Sequence, residues 1–176
     1  MKIRAVYPGT FDPVHYGHLD LMSRGVALFD ELVVAVYDHA RPTKSVLFTV
    51  EERIQMIEDA LGPGSGIKVM PFSGLLVKFM REIDARVIIR GLRVFSDFEF
   101  EFRNALANKR LAAEIETVSL MTSEAHTFLS GSTVREIAGL RGDVSSMVPE
   151  NVARALYARL TGEEDSGYEP PAPLRD

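Results

Sequence analysis

The sequence predicts an α/β fold, a doubly wound parallel sheet in a single domain that ends in helices. Three observations predict it: short apolar runs recur along the chain, helical patterns lie between them, and strand and helix alternate from start to finish. The runs are Ile3 to Tyr7, Glu31 to Tyr37, Ile67 to Pro71, Arg86 to Arg90 and Glu116 to Met121. Each is nearly continuous rather than alternating, the texture of a strand covered on both faces. Such strands are joined by right-handed crossover helices, and their sheets take ligands beyond the carboxyl ends of the strands.

The helical patterns run from Gly17 to Phe29, Val50 to Leu61, Gly74 to Ile83 and Asp97 to Ala112, with apolar residues returning every three or four positions. Thr49 stands three residues before Glu52, a capping-box spacing that opens the second helix, and Ser73 is placed to cap the third. Asp97 is expected to cap the fourth helix rather than bind a metal. On that helix Phe98 and Phe102, four apart, are expected to pack in the core or at a subunit interface. Met70, Met80 and Met121 are expected core residues. Two further helices open at Ser132 and Pro149.

A chain of 176 residues is ample for one domain with a continuous core. Residues 1–161 are read as that domain, and residues 162–176, acidic and proline-rich with nothing to bury, as a disordered tail. The absence of cysteine excludes disulfides, thiolate zinc sites and a cysteine nucleophile, and it suits a reducing compartment. The apolar runs fall far short of a signal-peptide core or a membrane span, so the expectation is a cytoplasmic protein with no membrane partner. A net charge of −5 argues against a general nucleic-acid binder, whose affinity for phosphate backbone comes from clustered Lys and Arg. Local clusters at Arg41–Lys44, Ile89–Arg93 and Asn108–Arg110 each suit either a small polyphosphate or a solvated face.

The densest chemistry lies in YPGTFDPVHYGH, Tyr7 to His18, directly behind the first run. A G-x-x-x-x-G-K-[ST] loop is missing, and the glycine cluster at Gly62–Gly66 has the wrong spacing for G-x-G-x-x-G and precedes a strand. In the turn, Gly17 and His18 fall at the start of the first helix, where free N–H groups and the positive end of the dipole seat a phosphate. Gly9 and Gly17 allow close backbone approach, Pro8 and Pro13 set the path, Thr10 offers a hydroxyl, and His18 can donate to a phosphoryl oxygen. The plainer reading has Thr10 and Asp12 capping the turn and both histidines on the surface; the density of constrained residues at a strand's carboxyl end favours the ligand site. His15 and His18 as metal ligands are disfavoured, because only His39 and His126 remain to complete a set.

This turn, together with IRGLR (Ile89–Arg93), DFEFE (Asp97–Glu101) and SGSTVREI (Ser130–Ile137), resembles the bacterial phosphopantetheine adenylyltransferases, within the nucleotidyltransferase superfamily marked by a [HT]-x-G-H turn. The likeness is collinear over residues 1 to about 160. It implies a Rossmann-like five-stranded parallel sheet, a homohexamer, and Mg²⁺-dependent transfer of the adenylyl group of ATP to 4′-phosphopantetheine, giving dephospho-coenzyme A and pyrophosphate. By position it implies that Thr10, Phe11 and His18 contact ATP phosphates, with Thr10 also near the phosphate of the acceptor. Lys44 matches the lysine that bridges the two substrates, and Leu76 and Arg90 match positions that hold the pantetheine arm and its phosphate. Gly91, Leu92 and Arg93 match an ATP segment, Glu101 an acidic nucleotide contact, and His126, Thr127, Phe128, Leu129, Ser130, Gly131 and Ser132 the loop that closes on the nucleotide.

Three positions depart from the pattern: His15 where threonine is frequent, Phe100 where tyrosine is expected, and Gly131 in place of a serine. An acceptor phosphate is already ionised at neutral pH, so the chemistry needs placement and charge stabilisation rather than a strong base. His18, Thr10, Lys44 and Arg93 are the expected catalytic donors, Arg90 clamps the acceptor, and magnesium keeps largely substrate oxygens and water as ligands. Nicotinate mononucleotide or glycerol 3-phosphate as acceptor, and a non-catalytic nucleotide-binding protein, are the competing expectations.

Overall fold

The computed structural model describes residues 2–38 and 46–162. The expectations placed on His39, Lys44, the Arg41–Lys44 cluster and the tail from residue 163 onward lie outside the described residues. Strand β1 (Arg4–Gly9) leads through α1 (Tyr16–Leu28) to β2 (Glu31–Tyr37). Then follow α2 (Val50–Leu61), β3 (Ile67–Phe72), α3 (Leu76–Glu82), β4 (Val87–Leu92), α4 (Phe95–Leu111) and β5 (Glu116–Met121). A 3₁₀ turn at Glu124–His126 precedes α5 (Gly131–Gly139) and α6 (Glu150–Thr161).

Among the described residues the strands form one sheet in the order β3-β2-β1-β4-β5. All four pairings are parallel. From β1 the chain winds outward through β2 and β3, then crosses to the other side for β4 and β5. The winding direction therefore reverses between β1 and β4, where open α/β sheets form their ligand crevice. The pairing of these two strands is also the shortest, covering only Ala5 with Val87 and Val6 with Ile88. Pro8 has no N–H to continue the ladder, and beyond it the strand ends part.

Both faces of the sheet are covered, as the continuous apolar runs require. Ala5, Tyr7, Leu32, Val34, Val36 and Ile89 pack on one side with Leu21 and Met22 of α1, Ile57 of α2, Val134 of α5 and Leu156 of α6. Their neighbours along the strands, Val6, Val33, Ala35 and Ile88, pack on the other side with Val77, Phe79 and Met80 of α3. The period-two alternation thus divides the runs between two cores rather than between core and solvent. None of the helices among the described residues is long and apolar enough to cross a membrane.

Local signals and structure agree closely at α2, where the Thr49 hydroxyl accepts from the Glu52 amide at 3.2 Å and the Glu52 carboxylate accepts from the Thr49 amide at 2.8 Å. Three expectations are corrected. Ser73 does not cap α3, whose N-cap is Leu75 with no side-chain hydrogen bond. Helix α5 starts one residue earlier than expected, at Gly131, with Ser130 accepting from the Thr133 amide at 3.1 Å. Met121 is 70% exposed at the end of the edge strand, whereas Met80 is fully buried. Of the two places expected for Phe98 and Phe102, this chain's core is not the one: each is 51% exposed, because α4 lies at the margin of the sheet and turns its phenyl rings onto each other, with centroids 5.7 Å apart.

Candidate active site at the parting of β1 and β4

The cleft begins where β1 leaves the sheet. Phe11 has a φ of +50°, a region that non-glycine residues rarely enter, and its ring is 2% exposed. This turn folds the ring back under the strand end, edge-on to Tyr7 at 5.4 Å and to His18 at 4.9 Å. Gly9 is required by that fold-back, since a Cβ there would lie 2.8 Å from the Phe11 ring. The cost of the strained backbone, on the order of 1–3 kcal/mol, is met by interactions around the turn. Buried Asp12 accepts the amides of Leu47 at 2.8 Å and Phe48 at 3.0 Å, and Nη1 of Arg135 at 3.0 Å.

Helix α1 starts four residues after Asp12, and its N-cap and first turn present two stacked imidazoles, His15 and His18, with ring centroids 3.6 Å apart. The amide of His15 donates to Nδ1 of His18 at 3.2 Å. A ring nitrogen that accepts carries no proton, so the neutral His18 ring bears its hydrogen on Nε2. Burial holds His18 well below the ordinary histidine range, and the neighbouring His15, Arg93 and Arg90 push in the same direction. Burial likewise lowers His15 to about 4, with Arg93 and His126 adding to the effect. Nδ1 of His15 is buried and completes no hydrogen bond.

Two arginines rise from the end of β4. Arg90 donates Nε and Nη2 to the two carboxylate oxygens of Glu101, both at 2.6 Å, and Nη1 to the Pro8 carbonyl at 3.0 Å. Burial opposes its charge, but Glu101 outweighs that and holds the guanidinium above its ordinary value. Of its five N–H groups two remain for a ligand. Arg93 pairs with Asp97 at 3.1 Å and donates Nη1 to the Leu129 carbonyl at 2.8 Å, tying the loop before α5 to the end of β4. Burial works to raise the Asp97 carboxyl, yet the Arg93 hydrogen bonds prevail and lower it. Asp97 is not the cap expected of it, since the N-cap of α4 is Val94 with no side-chain hydrogen bond; from inside the first turn Asp97 accepts the Arg93 amide at 3.2 Å.

Of the expected residues, Phe11, His18, Arg90, Gly91, Arg93, His126, Ser130 and Gly131 line a cleft of about 300 Å³ together with Tyr7, Pro8, Gly9, His15, Gly17, Leu21 and Thr122. A second hollow of about 220 Å³ contains Leu76, Arg90 and Glu101, joined by Asn104, Asn108 and Thr117. Arg90 belongs to both. The structure does not bring Thr10, Leu92, Thr127, Phe128, Leu129 or Ser132 to the cleft lining. Thr10 stands beside it on the turn, Leu92 and Leu129 are buried, and the Thr127 hydroxyl donates to the Glu124 carbonyl. Phe100 is 58% exposed on the open side of α4 and lines neither cavity. Gly131 has a steric reason, because a Cβ there would approach the Asp12 carbonyl to 3.0 Å.

Tyr7, Thr122 and Asn104 carried no assigned role in the sequence, and Asn108 entered only as one end of the Asn108–Arg110 cluster. Tyr7 looked like an ordinary strand residue, and burial raises its phenol above the ordinary value. The Thr122 hydroxyl is buried without a hydrogen-bond partner beside the cleft. The two asparagines lie four apart on α4, a spacing that would have found them had that helix been read by faces.

A cytidylyltransferase-like family model matches residues 6–137 of the chain. The chain is 51% identical over 160 residues to a phosphopantetheine adenylyltransferase of Thioalkalivibrio sulfidiphilus, an alignment covering 91% of this chain and 99% of that relative. It is 50% identical over 158 residues to one from Gloeobacter violaceus, covering 90% and 97%. A third, from Desulfitobacterium hafniense, is 48% identical over 161 residues, covering 92% and 98%.

The histidine stack ties stability to pH. His15 falls to about 4 in the folded chain against an ordinary 6.5, so between those values the unfolded chain binds the proton that the folded chain refuses. Its contribution is complete above the ordinary value and is lost as the pH falls, on the order of 3 kcal/mol in all. Denaturant midpoints measured from pH 7 to pH 5 will therefore fall more steeply for the wild type than for His15→Thr. Parallel slopes would contradict the burial of a neutral His15.

Proposed function

The chain belongs to the cytidylyltransferase-like family and within it to the phosphopantetheine adenylyltransferases, and we propose that it transfers the adenylyl group of ATP to the phosphate of 4′-phosphopantetheine. The products are dephospho-coenzyme A and pyrophosphate, a step of coenzyme A biosynthesis that we assign to the cytoplasm. The observation that carries this reading is the sharing of Arg90 between two adjoining cavities at the winding reversal of the sheet. A two-substrate transfer needs two such spaces with a cation at their border. ATP takes the larger cleft against the start of α1, and the acceptor's arm takes the hollow between Leu76 and α4, with its phosphate meeting Arg90.

In the reaction an oxygen of the acceptor phosphate attacks the α-phosphorus. The bond from that phosphorus to the bridging oxygen breaks, and pyrophosphate leaves with the electron pair. The acceptor oxygen is already ionised, so the protein holds the reacting groups in line and meets the charge that gathers on the phosphoryl oxygens. His18 donates from Nε2 without giving up its proton, since a group held neutral by burial is a hydrogen-bond donor rather than an acid at pH 7. Thr10 and Lys44 are the further donors, Arg93 meets the outer phosphates, and the loop from His126 to Ser132 borders the nucleoside.

Magnesium would be held by the nucleotide more than by this chain. Among the described residues no three carboxylate or imidazole groups converge, and Glu101 is engaged by Arg90, so substrate oxygens and water would hold the ion. Its chemistry there is to neutralise the leaving pyrophosphate.

The open apolar face of α4, with Phe95, Phe98, Phe102 and Leu106 each more than half exposed, supports assembly with further copies of the chain as a hexamer. Sedimentation of the wild type should give a six-chain species, and Phe98→Glu together with Phe102→Glu should reduce it while the chain stays folded. An unchanged wild-type mass in the double variant would place the interface elsewhere.

Pyrophosphate release with ATP and Mg²⁺ is expected with 4′-phosphopantetheine and absent with nicotinate mononucleotide; the pair CTP and glycerol 3-phosphate should also be silent. Turnover with another acceptor would move the substrate, and silence throughout would leave a nucleotide-binding protein. His18→Ala should lower kcat by roughly 10²- to 10³-fold with the fold intact, the scale of a lost preorganised donor. Arg90→Ala should chiefly raise KM for the acceptor, and an unchanged KM would move the acceptor site.

A further inference from the structure

Outside the cleft lining stands an arginine whose contacts converge on the turn. Arg53 is 3% exposed in the first turn of α2. Nε donates to the carbonyls of Phe48 at 3.1 Å and Thr49 at 3.2 Å. Nη1 donates to Thr10 at 2.6 Å and to Tyr37 at 3.0 Å. One guanidinium thus holds the end of β2, the entry to α2 and the turn after β1. Asp12 reinforces the same knot through the amides of Leu47 and Phe48 and through Arg135 of α5.

We infer that Arg53 is a positioning residue for adenylyl transfer, orienting the Thr10–Phe11 peptide of the phosphate turn from behind, with Asp12 as its counterpart across that turn. The inference rests on the adenylyl-transfer reading and adds a residue that does not line the cleft.

In a trans peptide the carbonyl and the following N–H point in opposite directions. Arg53 draws the Thr10 carbonyl inward, so the Phe11 N–H is directed away from the buried guanidinium. The positive φ of Phe11 is the consequence of turning this one peptide against its neighbours. A charged side chain in such a place is costly to bury, and an apolar residue would satisfy packing alone. An arginine is required because four carbonyls from three segments must be met by one rigid, planar donor set. Burial depresses the Arg53 pKa, while Asp12, Asp38 and Glu51 favour its charge.

Lysine keeps the charge but offers a single nitrogen at the end of a flexible stem, so Arg53→Lys releases the Thr10 carbonyl while preserving the volume. With ATP and 4′-phosphopantetheine, Arg53→Lys should lower kcat by about 10- to 100-fold, the scale of a misplaced reacting group, with KM for ATP changed by less than about threefold. In a Thr10→Val background, which removes the hydroxyl carried by the held residue but keeps the Phe11 N–H, the same substitution should lose part of its effect, whereas in a His18→Ala background it should keep it in full, because Arg53 acts through the turn and not through α1. Full additivity with Thr10→Val, or an unchanged kcat in folded Arg53→Lys, would overturn the inference. If Arg53→Lys does not fold, Asp12→Asn serves in the same cycle with the same expected coupling to Thr10→Val, and additivity there would overturn it equally. An inactive wild type in this assay would instead defeat the adenylyl-transfer reading, so the two failures are distinguishable.

Discussion

The hydrogen bond from the His15 amide to Nδ1 of His18 is the constraint on which the site depends. It uses one of the free amides at the start of α1, and by doing so it commits the imidazole to a single neutral tautomer. Everything upstream serves to bring that helix start to the parting of β1 and β4. Pro8 ends the ladder toward β4, Gly9 admits the Phe11 ring, and Phe11 folds back to wall the imidazole. Everything around it keeps the ring neutral, with burial the largest influence and the nearby arginines acting in the same direction. A phosphate approaching this helix start meets a donor that needs no reorganisation, which is where such groups contribute most.

The ion pairs of the molecule divide by setting. Pairs such as Arg154 with Glu150 lie on the surface, and such pairs contribute little because water and salt screen them. The bidentate pair of Arg90 with Glu101 is far less exposed, and its desolvation offsets much of its attraction. Its value lies in direction. A guanidinium locked on two oxygens and a carbonyl is fixed at the border of two cavities with two N–H groups still to donate. Arg93 is locked in the same style by Asp97 and the Leu129 carbonyl. Neither arginine is a free cation waiting for a ligand; each is already oriented, so less side-chain freedom is lost on binding.

Much of this was legible in the chain. The five apolar runs found all five strands, and the Thr49–Glu52 spacing found the start of α2 to the residue. His18, Arg90 and Arg93 were placed near one another because strand carboxyl ends share a sheet edge. What escaped was everything that depends on distant partners. Asp12 read as a turn cap, yet it binds amides 35 and 36 residues away. Arg53 carried no signal in the sequence, yet it reaches a carbonyl 43 residues back. Phe98 and Phe102 were legible as an apolar stripe, but a stripe does not tell which surface covers it. Met121 followed composition into an expected core, whereas its place on the edge strand leaves it open to solvent.

The central claim is that a neutral His18 presents Nε2–H to the phosphoryl group, and ¹⁵N NMR of histidine-labelled protein tests it most directly. The account predicts that at pH 7 the His18 ring carries its proton on Nε2 alone, and that this signal shifts when MgATP is added while the tautomer is kept. An imidazolium, or a proton on Nδ1, would contradict it.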